Sequence, residues 1–172
     1  MDDNHGTPSQ RKAHAASHHP YAVFAHNMVL SLVVMYLVMF SMIDGWGDFR
    51  HNLNMVYMAL TMVAPMGILM LATMGGMYPN KRFNLFLHAG LALLFVAAFT
   101  GTRSQTLIGD RQFIASMVPH HSGAILMCRK AAITDPELMA LCSEISRGQR
   151  IEIERMSAID ERLSARVGGA QR

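Results

Sequence analysis

Full charge is scarce in this 172-residue chain: Asp, Glu, Lys and Arg make up 16%, against roughly a quarter in soluble domains. Cysteine is nearly absent, with only Cys128 and Cys142, too few for a disulfide framework. No Glu-x-x-His pattern occurs, which argues against a carboxylate-bridged di-metal bundle. A Ser/His/Asp arrangement and a phosphate-binding loop are missing too, so an enzyme is not the expected reading. The net charge of +3 is small and scattered, and nucleic acid is not expected as a partner. What the chain has in excess is methionine, 16 residues of it, within a composition that is 51% hydrophobic.

Three charge-free runs account for much of that apolar content: residues 23–43, 53–74 and 83–101. Each has about the length that crosses a bilayer core of roughly 30 Å at 1.5 Å per residue. The expected fold is therefore all-α, with three transmembrane helices over 23–101 in contact with lipid. The first run is too long and too far from the N-terminus for a cleaved signal and reads as an uncleaved anchor. Lys81 and Arg82 lie between the second and third runs, and Arg11 and Lys12 precede the first. By the positive-inside rule this puts the N-terminus in the cytoplasm and everything after residue 101 outside. Residues 1–22, with His5, His14, His18 and His19, are polar and aperiodic. They read as a disordered cytoplasmic tail, with loose metal binding as the sharper alternative.

Residues 102–172 form an extracytoplasmic unit with the pattern of a helical hairpin. One helix is predicted over about 110–133 with Asp110 as N-cap, and a second over about 136–165 after a "TDP" turn in which Asp135 caps and Pro136 starts the helix. On the first, Phe113, Met117, His120, Ala124, Met127 and Ala131 form one stripe, and His121 joins a neighbouring stripe with Ile114, Ile125 and Cys128. Pro119 removes a backbone hydrogen bond and is expected to bend this helix. On the second, Gln149 and Glu152 interrupt an apolar face that includes Cys142, Ile145 and Met156. Antiparallel folding about residues 134–135 then places His120 near Gln149, Met117 near Glu152, Phe113 near Met156 and Met127 near Cys142, to within a turn.

Polar residues from both helices thus meet at one level of an apolar seam, where an unpaired polar group costs a few kcal/mol. A buried His–Gln–Glu network that merely fixes packing is the plain explanation. The functional one is a metal site of Met117, His120, His121, Met127 and Met156, with Glu152 and Gln149 orienting a ring. Thioether sulfur favours soft ions, above all Cu(I), with Ag(I) possible. A neutral imidazole is needed, so affinity is expected to fall below about pH 6. Whether Cys128 and Cys142 are ligands, free thiols or a disulfide stays open at this level.

The segments "DRQFIASMVPHHSGAILM" and "CSEISRGQRIEIERM" resemble the periplasmic ferritin-like family known as domain of unknown function 305. The resemblance covers about residues 107–160. It rests on Asp110, Phe113, Met117, His120, His121, Ala124 and Met127, continuing through Ile145, Gln149, Glu152, Ile153 and Met156. It implies a helical domain linked to copper or silver binding through Met and His. Soluble members resemble two hairpins packed as a four-helix bundle, whereas this chain has one. A single hairpin with an apolar face needs cover. It is expected to form the bundle as a homodimer with a second copy, through 110–165, or to dock on a partner.

Methionines also line the membrane runs. Met55, Met58, Met62, Met66, Met70, Met74 and Met77 follow helical spacing, and Met28, Met35, Met39 and Met42 add to them. Ordinary packing and a ladder of thioether sites for Cu(I) are both compatible with that spacing. His26 and His88, each near the start of a run, read as interfacial histidines, with metal or haem ligation as the alternative. The expected function is a membrane-anchored protein that binds and hands on Cu(I) at the outer face of a bacterial inner membrane. An accessory subunit of a larger membrane complex, without metal chemistry, is the alternative.

Overall fold

The computed structural model describes residues 20–169. The expected tail, with His5, His14, His18 and His19, lies outside the described residues. Five α-helices lie among the described residues: α1 Pro20–Val38, α2 Leu53–Thr73, α3 Lys81–Ser104, α4 Asp110–Lys130 and α5 Pro136–Gly169. A 3₁₀ turn, Met39–Met42, extends α1. The first three helices, counting this extension, are long and apolar enough to cross a membrane. Their ends agree with the charge-free runs to within about four residues.

Helix α2 makes its broadest contact with α3 and also packs on α1. Its buried face is built of small residues, Ala59, Ala64 and Gly67, with Val63 and Leu71. Small side chains let apolar helices approach closely where no water drives them together. At Gly67 the approach is closest: a Cβ there would lie 2.7 Å from the Met28 sulfur and 3.0 Å from Leu91. One end of the three-helix unit is closed by Phe24, Leu71 and Tyr78, with Met28 and Met70 packed against them. The Tyr21 hydroxyl donates to Asn84 at 2.9 Å and accepts from the Asn80 amide at 3.1 Å.

At the other end the hairpin of α4 and α5 docks on the loop between α1 and α2. Gln105 and Leu107 turn the chain with positive φ, 52° and 61°. Gly109, not Asp110, occupies the α4 cap position, and no side chain caps it; Asp110 is the first helical residue. Its carboxylate still complements the positive helix end. Asp135 does cap α5, accepting from the Leu138 amide at 2.8 Å. Cys128 and Cys142 form a disulfide across the far end of the hairpin.

Candidate metal centre

Helix α4 carries two adjacent apolar stripes, and the structure assigns them different neighbours. The stripe with Ile114, Val118, His121 and Ile125 is buried. His121 is 8% exposed. Its Nδ1 lies 2.9 Å from the Met117 carbonyl and its Nε2 2.7 Å from the Glu152 carboxylate. An oxygen atom thus faces each ring nitrogen. Both nitrogens of His121 are therefore engaged.

This corrects the expected register. Glu152 meets His121 rather than Met117, and Cys142 bonds Cys128 rather than facing Met127. Arg111 pairs with Asp160 at 3.1 Å. The true pairs lie within about one turn of the predicted ones, a shift that exchanges one stripe of α4 for the next. His120 accordingly does not face Gln149 in the hairpin seam; it is exposed and turns toward the three-helix unit.

There the second stripe forms one wall of a cavity of about 620 Å³. Met117, His120 and Met127 come from α4; Met39 and Met42 come from the 3₁₀ turn, and Met55 and Met58 from the start of α2. Two close approaches fix the walls. A Cβ on Gly123 would lie 3.2 Å from the Met42 carbonyl oxygen, so α4 rests on the turn's backbone. Nearby, the Asn54 amide donates to the Ser116 hydroxyl at 3.2 Å.

The polar groups at the cavity edge are already used. Asn54 and Gln105 exchange amide hydrogen bonds at 3.1 and 3.2 Å, and Gln105 also donates to the Thr102 carbonyl at 2.6 Å. Asn52 caps α2 by accepting from the Met55 amide at 2.9 Å, and Ser116 donates to the Phe113 carbonyl. Among the described residues the His120 ring makes no hydrogen bond. Nor do three or more His, Cys, Asp or Glu side chains converge among those residues. The uncommitted donors are six thioethers and one imidazole.

Of the expected ligand set, the cavity thus gathers Met117, His120 and Met127, and it leaves out His121, Glu152, Gln149 and Met156. The methionines that sequence reasoning did not place in the site are Met39, Met42, Met55 and Met58. Their signal was the helical spacing of membrane methionines. Elsewhere along the helices Met28 and Met70 pack beside the aromatic core at the opposite end, and Met62, Met74 and Met77 are exposed, as Met42, Met58 and Met127 of the cavity are. His88 is held by the Asn84 carbonyl at 2.7 Å, and His26 is exposed on α1.

Fold and cavity define a class: a small all-helical protein in which three helices of membrane-crossing length carry a hairpin over a methionine-lined cavity. The chain belongs to the family described as Domain of unknown function (DUF305), whose model matches residues 100–162. That span includes Met117, His120 and Met127 but none of the methionines supplied by the membrane-length helices. The chain is also similar to an uncharacterized protein of Acanthamoeba polyphaga mimivirus. The two are 32% identical over 146 residues, which cover 80% of this chain and 94% of that protein. An alignment of that length extends beyond the hairpin into the apolar helices. No solved structure matches.

Proposed function

We propose that this is a membrane-anchored protein that binds Cu(I), with Ag(I) as a surrogate, in the cavity between α4 and the ends of α1 and α2. The observation that carries the reading is the donor set left over once every hydrogen bond is assigned: thioethers and a lone imidazole. Thioethers select soft ions and bind hard ones poorly. An amphipathic organic ligand would need hydrogen-bonding partners in such a pocket, and the amides there are committed to one another.

The cavity lies beside the 43–52 loop, which carries Arg50 as its one Lys or Arg, whereas the turn at the opposite end of the apolar helices leads into Lys81 and Arg82. That asymmetry supports a cytoplasmic N-terminus and a hairpin on the outer face of a bacterial inner membrane. The disulfide supports the same side, since such bonds persist in oxidising compartments. Leu138, Leu141, Ile151 and Ile159 are exposed on α5, which supports pairing with a second copy to complete a bundle. The protein would hold Cu(I) there and pass it to a copper-handling partner.

The test is an anaerobic titration of the full chain in detergent, with Cu(I) held by a competing chromophoric chelator. Replacing His120 by Ala together with Met117 by Leu is expected to weaken binding at least tenfold. An unchanged titration curve for that double variant would remove these residues as ligands.

A further inference from the structure

Met117 and Met127 lie ten residues apart on α4, about 15 Å along a helix rising 1.5 Å per residue. Both side chains lean toward the helix N-terminus, so their tilt does not close the gap. Two sulfurs bound to one ion lie at most about 4.6 Å apart, given metal–sulfur bonds near 2.3 Å. One ion therefore cannot take both. His120 is one turn from Met117 and two turns from Met127, and belongs with Met117.

The seams divide the remaining donors in the same way. Ser116, next to Met117, touches Asn54, which neighbours Met55 on α2. Gly123, one turn before Met127, rests on the backbone of Met42. Met55 thus stands near the Met117 level and the Met42 backbone near Gly123, between His120 and Met127; the Met127 side chain leans back toward that level.

We infer that the cavity holds two soft monovalent ions at two levels along α4. One site is mixed, with His120, Met117, Met55 and Met58. The other is sulfur-only, with Met127, Met42 and Met39. The second site draws two of its three ligands from the turn that ends α1, outside the residues that the family model covers. This inference rests on the metal-binding reading above and adds the number of ions and the ligands of each.

The experiment loads the full chain with Ag(I) and separately with Cu(I), removes loose metal with a weak chelator, and counts ions per chain by native mass spectrometry. The Met39→Leu/Met42→Leu and Met117→Leu/His120→Ala variants are loaded in parallel. Leucine keeps volume and helix propensity, and circular dichroism verifies the fold of each variant. Two ions in the parent and one in each variant are expected. X-ray absorption of the Met117→Leu/His120→Ala form should show sulfur alone around the remaining ion. A single ion lost in both variants would mean one shared site and overturn the inference while leaving the proposed function standing. Two ions retained after Met39→Leu/Met42→Leu would overturn it as well. No ion in the parent would sink the proposed function itself.

Discussion

At position 121 the imidazole is buried and has an oxygen at each nitrogen, while at position 120 it is exposed and makes no hydrogen bond among the described residues. Opposite consequences follow from substituting the two. Glu152→Ala leaves a polar nitrogen of His121 without its partner. The expected cost is about 1 kcal/mol, at the low end of the usual range because the glutamate side chain is 54% exposed and the opened space admits water. His121→Ala adds an unfilled volume and should lower the melting temperature further. His120→Ala removes an exposed ring whose packing is an edge contact with His121 and should shift stability by less than about 0.5 kcal/mol, yet it should weaken metal retention. Thermal melts of the three variants, each with and without Ag(I), separate the roles. If His120→Ala and His121→Ala lowered the melting temperature equally, the division of labour drawn here would be wrong.

On the scale of elements, α4 explains both what the sequence made legible and what it hid. The three apolar helices, the TDP turn, the hairpin and its antiparallel sense all follow from charge-free runs, an Asx cap and helical periodicity. Two adjacent stripes of α4 are apolar, however, and periodicity alone does not say which of them faces α5. The helix is covered on two sides: by α5, and by the 43–54 loop with the end of α1. That second surface comes from residues about 70 positions earlier, and no local pattern announces it. Gly123 marks this contact, since the Met42 carbonyl is backbone and cannot rotate away from a larger side chain. Gly123→Val should therefore lift α4 from the turn at a cost of about 1–3 kcal/mol. Faster exchange of the Asp44 amide, which donates to the Ser122 hydroxyl at 2.7 Å, would report the separation. The disulfide acts at the opposite end of the hairpin. Its loop of about 15 residues limits the unfolded chain by roughly 3 kcal/mol in the loop-closure account. Reducing Cys128–Cys142 should lower the melting temperature of α4 and α5 while leaving the helicity of α1–α3 unchanged.

For the whole molecule, the hairpin's position depends on a polar seam that spans most of its length. Ser122 receives the Asp44 amide and donates to Asp48. Asp44 meets Arg129 at 2.7 Å and Arg150 at 4.0 Å, so one carboxylate of the loop ties both hairpin helices. Farther along, the Leu53 amide donates to Gln112, and Arg50 reaches Ser157 and Asp160. The Asp44 side chain is 12% exposed, whereas its two arginines are more than half exposed. Removing a partner from a fully buried pair costs about 3–5 kcal/mol. Here the released guanidiniums regain water, so Asp44→Ala should cost nearer 1–2 kcal/mol, as undocking of the hairpin rather than unfolding of its helices. Because α4 supplies one wall of the cavity and the loop and helix ends supply the other, undocking separates Met127 from Met42 and Met117 from Met55. Asp44→Ala is thus expected to lower metal retention several-fold although Asp44 lines no part of the cavity. Limited proteolysis of the 105–109 linker, run beside the metal count, checks both halves of the claim. Easier cleavage accompanied by undiminished metal binding would show that the ion does not need the two walls together.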